Sequence, residues 1–441
     1  MPETLQVGAS VIDITPGVGL PMGGYGARRG VSSAVHDPLN VRTIVFHDGR
    51  SHVVIAFCDF VGVPPDIVTA ARELIEKDTG IPAANVAIGA THTHSGPLNL
   101  RSTDAPEFVA VTARKITGAV QVALRDLRVV PLKFGTAQVA SISQNRRQPD
   151  WPVEETAKVL LAAPEAGALP VATLVNYACH ATVMEYDNML YSADFPGAAA
   201  RFVERNLGGV CVYMQGCCGN INPIWMRHDF VEVERVGGIL GAAVTRTAHE
   251  MRPLDEGQWA VNLRWSEQTP REAPGHLLTG IRLDSARTFV DLQRRILPSA
   301  EEIEREVTNL EAQIEAAGDD VTKRRSIRPR LNELRLYRGQ RQRGGGGGGQ
   351  ERIELQAFRL SSECAVITLP GEFFVEIARD IEHRAGVPNL LISGYTNGTI
   401  GYVPTATAFP FGGYEVGQAR FVPDAAAVVT EEAVKLIRSL Y

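Results

Sequence analysis

The stretch Asn85-Val86-Ala87-Ile88-Gly89-Ala90-Thr91-His92-Thr93-His94-Ser95-Gly96-Pro97 decides how this chain is read. Its first half is an apolar run of buried-strand type, which Gly96-Pro97 breaks into a loop. Residues two apart on a strand share a face, so His92 and His94 are expected to point the same way from a strand end. Two imidazoles side by side there suit a zinc site, one ligating and the other supporting it or touching substrate. Two ordinary polar residues near a surface would give the same letters, so the decision falls to the rest of the chain.

Outward from this stretch, residues 1 to about 265 alternate strand-like and helix-like segments. Val41–Phe46 and His52–Phe57 read as strands joined at the Asp48-Gly49 turn. Helices are expected over Pro65–Thr79, Glu107–Leu127, Pro196–Asn206 and Glu232–Met251, and strands over Val171–Tyr177 and Val210–Met214. Residues 283–343 differ, being rich in Glu, Arg, Leu and Gln. Ser299-Ala300-Glu301-Glu302 is a capping box, and Ile303, Val307, Leu310 and Ile314 form one helical stripe. A second helix starts near Asp320, with Pro329 a bend or restart. Six glycines, Gly344–Gly349, read as a flexible linker back to strands at Ile353–Leu360 and Ala365–Leu369. The sequence contains no evident internal repeat. The expected fold is α/β, a mixed β-sheet core flanked by helices, with an inserted α-helical hairpin. Residues 1–282 and 350–441 form the catalytic body in this division, 283–343 the hairpin and 344–349 the linker.

The 441 residues carry a net charge of −6, with 44% hydrophobic and 21% charged residues. This balance makes no electrostatic case for nucleic acid or an anionic membrane. No segment approaches the roughly 20 apolar residues that cross a bilayer, and Met1-Pro2-Glu3-Thr4-Leu5-Gln6 lacks the basic-then-apolar pattern of a signal peptide. Cys58, Cys179, Cys211, Cys217, Cys218 and Cys364 lack paired zinc spacing and mostly sit in apolar runs, as buried thiols of a reducing compartment do. A cytoplasmic location is therefore expected, and the hairpin makes a homo-oligomer plausible.

Further polar segments follow apolar strands: Ala178-Cys179-His180-Ala181-Thr182, Gly216-Cys217-Cys218-Gly219-Asn220-Ile221-Asn222-Pro223, Pro370-Gly371-Glu372-Phe373-Phe374, and Gly394-Tyr395-Thr396-Asn397 leading to Gly401-Tyr402-Val403-Pro404. Polar groups collected at strand ends are how α/β enzymes build sites. Taken with Val11–Pro16, Met22-Gly23-Gly24-Tyr25, His36, Asn145-Arg146 and Tyr414-Glu415, these motifs in this order resemble the neutral/alkaline non-lysosomal ceramidase family. No counterpart of the family's C-terminal immunoglobulin-like domain or secretion signal is expected within these 441 residues.

The resemblance implies one catalytic Zn2+ held by His92, His180, Glu372 and Tyr402. It also implies His94 facing substrate, Arg146 touching polar groups of substrate, and Tyr414 as a second active-site tyrosine. Such a donor set leaves a position for water, whose pKa zinc lowers towards 7. The expected reaction is hydrolysis of a carbon–nitrogen bond in a small-molecule amide, of N-acyl or lactam type, with His94, Arg146 and Tyr414 available to stabilise an oxyanion or protonate the leaving nitrogen. Asp194 could orient a ligand histidine. Each residue also has a duller reading: a satisfied core histidine at His180, a helix-capping carboxylate at Glu372, packing at Tyr402 and Tyr414, and a surface side chain at Arg146.

The pattern departs from the family where Asn222 replaces a serine once taken for a nucleophile. Asn222 cannot attack a carbonyl, so hydrogen bonding is its expected role. Thr399 replaces a family tyrosine, and Phe409-Pro410-Phe411-Gly412-Gly413 replaces a more polar stretch, which puts ceramide itself in doubt. Three rivals stand beside the hydrolase: an amide- or lactam-forming cyclase on the same zinc, a zinc-containing binding protein without turnover, and a thiol hydrolase using Cys217 or Cys218.

Overall fold

The structure is a computed structural model that describes residues 5–139, 141–164, 168–251 and 275–441. Three large sheets organise it. The first holds β1 (Gln6–Asp13), β2 (Asn40–His47), β3 (His52–Cys58) and β4 (Val86–Ala90). The second holds β5 (Leu132–Gln138), β6 (Thr156–Ala162), β7 (Ala172–Tyr177) and β8 (Val210–Gln215). The third holds β9 (Asp284–Gln293), β10 (Gln350–Arg359), β11 (Cys364–Thr368) and β12 (Asn389–Ser393). Short strands Arg128–Val129 and Gly275–Leu277 extend the first two at the β1 and β5 edges.

The three sheets have one connectivity. In each, the first three strands pair antiparallel in sequence order, and the fourth pairs parallel with the third. A parallel pair needs a crossover, and a helix supplies it each time: α1 (Pro65–Thr79), α3 (Asp194–Leu207) and, in the third unit, α7 (Val375–Ala385). A further helix follows each fourth strand: α2 (Pro106–Arg125), α4 (Phe230–Glu250) and α9 (Ala425–Arg438). The chain is thus three βββαβα units, a repeat of topology without a repeat of sequence.

Strand alternation explains how the units pack. Val45, Val54, Ala56, Val86 and Ile88 face the cluster that contains α1 and α2, while Ile44, Phe46, Val53, Ile55 and Phe57 face the opposite way. Leu174, Val212 and Met214 of the second sheet and Phe358, Val366 and Leu391 of the third join them in one core. The period of two therefore puts helices outside and a shared apolar centre inside. Each fully buried side chain there contributes about 1.5–3 kcal/mol.

Three buried amide side chains stitch the units together. Gln215 Nε2 donates to Thr91 O at 3.0 Å and Cys179 O at 2.8 Å, joining the second unit to the first. Asn176 Nδ2 donates to Ile392 O at 3.0 Å and Asn176 Oδ1 accepts from Ile392 N at 3.1 Å, joining the second to the third. Asn397 Oδ1 accepts from Ile88 N at 3.0 Å, joining the third to the first.

The helical pair α5 (Ala300–Ala316) and α6 (Val321–Gln342) lies between β9 and β10, packed through Ile303, Val307, Leu331, Leu334 and Tyr337. The capping box forms: Glu302 N donates to Ser299 Oγ at 3.1 Å, and Ser299 N to Glu302 Oε2 at 2.8 Å. Pro329 lies within α6 without ending it. Residues 284–293, placed in the helical insertion by composition, are instead the strand β9, paired from Asp284↔Arg359 to Gln293↔Gln350. The charged helices beyond them dominate the local composition and mask the alternation that buries Val290 and Leu292. The glycine run turns back beside residues 294–297. Leu297 N donates to Gly346 O at 3.0 Å and Arg294 N to Gly349 O at 2.8 Å. Among the described residues no helix is long and apolar enough to cross a membrane.

Candidate active site

The carboxyl ends of the three parallel strand pairs meet. The turn after β3 brings Val61, and that after β4 brings His92 and His94. The turns after β7 and β8 bring His180 and the Cys218–Asn222 loop. Those after β11 and β12 bring Glu372 and Tyr395. Backbone conformation is unusual at these ends: His92 (φ 64°), Tyr395 (φ 52°), Asn397 (φ 63°) and Asp194 (φ 53°) are non-glycine residues in the left-handed region. Such strain persists where surrounding structure fixes it, and it clusters at functional sites.

Each of two imidazoles is held by a backbone carbonyl. His92 Nδ1 lies 2.6 Å from Val61 O. His180 Nδ1 lies 2.6 Å from Cys218 O and 3.0 Å from Ile221 O. A carbonyl only accepts, so each Nδ1 carries the proton and each Nε2 of a neutral ring presents a lone pair. Both Nε2 atoms face Glu372 Oε2, at 3.5 Å from His92 and 3.4 Å from His180. His180 Nε2 and Glu372 Oε2 are buried without a hydrogen-bond partner. Bare acceptors crowded together are unfavourable unless a cation lies among them.

Electrostatics agrees with a cation site. Burial, helped by the charge of Arg146, pushes the His180 imidazole down to about 4. Burial pushes the Glu372 carboxyl up, but the facing His180 and His92 outweigh this and hold it well below the usual carboxylate range. His94 completes the cluster, with its Nε2 3.2 Å from His92 Nε2. Burial and the other two imidazoles hold it well below the ordinary histidine range. His92, His94 and His180 lie close enough to hold a metal ion together.

Tyr402 is the cross-strand partner of Glu372, and its ring stacks over His180 at 6.5 Å. Arg146 lies over the Tyr402 ring at 5.4 Å and the Tyr414 ring at 5.9 Å. Three groups fix it: Nε donates to Glu415 Oε1 at 2.6 Å, Nη2 to Gly219 O at 2.8 Å, and Nη1 to Asn222 Oδ1 at 3.3 Å. Glu415 also accepts from Arg147 Nη1 at 2.6 Å. Tyr414 stands edge-on to Tyr402 at 5.7 Å. The eight residues singled out in the sequence, His92, His94, His180, Glu372, Tyr402, Arg146, Tyr414 and Asn222, thus surround one spot.

Two expectations change in detail, and the thiol rival loses its support. The strand ends at Ala90, and His92 meets His94 through a left-handed turn rather than a shared strand face. Asp194 does not orient a ligand histidine. Its carboxylate accepts from Phe195 N at 2.7 Å and Met184 N at 3.2 Å, while backbone carbonyls perform the orienting. The cysteines are poor nucleophiles, since burial pushes Cys217 up to about 12 and raises Cys218 well above an ordinary thiol. The Cys218 thiol lies 3.1 Å from the Tyr395 hydroxyl, and its carbonyl holds His180.

Several supporting residues received no role from the sequence. Tyr395 stacks on His92 at 4.0 Å. Tyr25 stands edge-on to His94 at 4.7 Å, and Arg28 Nη1 donates to His94 O at 2.7 Å. Gly24 (φ 93°) comes so close that a Cβ there would lie 2.4 Å from His94 Cγ. The Met22–Tyr25 motif was the available signal for Tyr25 and Gly24, and Arg28 lies three residues beyond it.

The family model for neutral/alkaline non-lysosomal ceramidase, N-terminal, matches residues 5–217, the first unit and the second as far as β8. The neutral ceramidase of Mycobacterium tuberculosis is 26% identical over 235 residues, a stretch covering 46% of this chain and 36% of that protein. The crystal structure of neutral ceramidase from Pseudomonas aeruginosa has a TM-score of 0.75 at 20% identity, covering 100% of this chain and 75% of that one. A ceramidase complexed with C2 has a TM-score of 0.72 at 17% identity, covering 99% and 75%. At these identities the two structures attest to the fold. Residues 5–217, just under half of the chain, thus match the N-terminal domain of the neutral/alkaline non-lysosomal ceramidase family, and the fold over the full chain is similar to that of neutral ceramidase.

Proposed function

We propose that the chain is a zinc-dependent amidohydrolase, cleaving the carbon–nitrogen bond of an N-acyl or lactam-type substrate. In this reading the three units act as one catalytic body into which the helical pair is inserted. The observation that carries it is the pair of carbonyl-anchored imidazoles turning their Nε2 atoms towards Glu372 Oε2, with His180 Nε2 and Glu372 Oε2 buried and unpartnered. His92, His180 and Glu372 would hold the ion, with Tyr402 beside them. Two imidazoles and a carboxylate are a catalytic zinc donor set. When bound, zinc supplies a Lewis acid and lowers the pKa of water towards neutrality.

The side chains around it supply the rest. Arg146, clamped by Glu415, presents a fixed positive charge where negative charge develops on a carbonyl oxygen. The Tyr414 hydroxyl stays protonated at neutral pH, since burial and the nearby Glu372 raise its pKa, and can give its proton to a leaving nitrogen. His94, held neutral by burial and the other two imidazoles, is a candidate to donate a hydrogen bond to the developing oxyanion. Asn222 holds Arg146 in place.

The test is metal content by elemental analysis, followed by turnover on a panel of N-acyl amines and lactams before and after chelation. One zinc per chain with chelator-sensitive amide cleavage is expected. Stoichiometric zinc without turnover would favour a binding protein, and chelator-resistant activity would remove zinc from the reaction.

A further inference from the structure

The same groove that reaches His92, Glu372, Tyr402 and Tyr414 extends outward to a volume of about 930 Å³. Its walls carry six arginines: Arg72, Arg101, Arg294, Arg343, Arg352 and Arg420. Against them stand Glu351, Glu354 and Glu372. Glu372 belongs to the metal centre, and Glu354 pairs with Arg72 at 2.9 Å. Glu351 serves both Arg294, at 2.6 Å, and Arg420, so one guanidinium of that triad is uncompensated. Arg101 offsets Asp66.

Arg101, Arg343 and Arg352 form no ion pair among the described residues. Arg343 donates to the neutral Gln418 Oε1 at 3.2 Å, and Arg352 lies over the Phe289 ring at 5.0 Å. Both are exposed to the groove. The whole chain is acidic at −6, so a net positive groove runs against the overall charge. Cationic walls around a cleft concentrate and hold anions. A neutral lipid amide has no use for them.

Resting on the amidohydrolase reading, we infer that the substrate carries an anionic group, a carboxylate, phosphate or sulfonate, on the part of the molecule outside the metal centre. Arg343 and Arg352 are the residues that select it.

The experiment compares matched amides. N-decanoylglycine is set against N-decanoylethanolamine, placing the charge on the amine side. An N-decyl succinamate is set against N-decyl butanamide, placing it on the acyl side. In at least one pair the anionic member is expected to have the higher kcat/KM, and its advantage is expected to shrink at about 0.5 M salt. The double variant R343Q/R352Q should lower the anionic-to-neutral ratio about tenfold. Equal or better turnover of the neutral member in both pairs would overturn the inference, as would a ratio the variant leaves unmoved.

Equilibrium binding of the same four compounds to metal-free protein separates the two proposals. Tighter anion binding, lost in R343Q/R352Q, with no turnover of any compound after zinc is restored supports the anion subsite while refuting the hydrolase. Turnover without anion preference in binding or kcat/KM does the reverse.

Discussion

The floor of the site and the groove above it are built in opposite ways. The floor is buried and backbone-anchored: His92 and His180 each rest on a main-chain carbonyl, and all three units supply a turn to it. The groove is open and carries long arginines from the segment just after β9, from β10, from the end of the helical pair and from the segment after α8 (Tyr414–Gln418). Side chains locked by buried partners hold a geometry that chemistry requires. Exposed guanidiniums on flexible stems hold a charge but little shape. On the proposed function, the contrast would give reaction type to the fold and selectivity to what has been added at its rim.

The sharpest way to break this division is at the floor. His180→Ala removes a carbonyl-anchored imidazole and is expected to abolish stoichiometric metal binding and to cut activity on the order of 1,000-fold. Full metal content by elemental analysis would contradict the floor as drawn.

Next comes Glu415→Ala, which leaves Arg146 and Arg147 without their shared carboxylate. Breaking a buried pair of this kind costs about 3–5 kcal/mol. A lowered Tm and an activity loss of about 100-fold, with metal retained, are expected. Unchanged turnover would separate Arg146 from the chemistry.

Gly24→Ala sharpens the comparison where floor and rim touch. The added methyl meets the His94 ring, at a backbone angle that already disfavours alanine. Activity should fall about tenfold with metal content intact. Wild-type kinetics would mean that His94 does not take part.

The smallest effect concerns Asp194, buried beside the floor and pushed up to about 6 chiefly by burial. Its folded pKa lies above the unfolded value of about 3.9. Its stabilising contribution is therefore complete below about pH 4 and lost as pH rises through about 6, a change of about 3 kcal/mol. Asp194→Asn should flatten the difference in urea midpoint between pH 5 and pH 7.5. An unaltered slope would assign that dependence to other groups.

Much of the local structure was legible because period and punctuation agree. Pro65–Thr79 is helical as read, with Pro65 at its start and Gly80 as a left-handed cap. Asp48-Gly49 sets the β2–β3 turn. The threefold repetition was not legible, since the units share connectivity but not residues, and strand order is a property of pairing. His92, His180 and Glu372 stand out because each follows an apolar strand. Glu415 does not, because its meaning lies in Arg146, 269 positions away. The carbonyls of Val61 and Cys218 carry no residue-specific signal at all, since any side chain leaves a backbone oxygen in place.

The distribution of donors across three units has a bearing on biosynthesis. Synthesis delivers His92 and His180 well before Glu372, so the emerging polypeptide exposes two of the proposed ligands without the carboxylate that completes the set. If the proposed metal site is right, firm uptake would wait until the last sheet has docked against its predecessors, and the ion would favour only the finished arrangement.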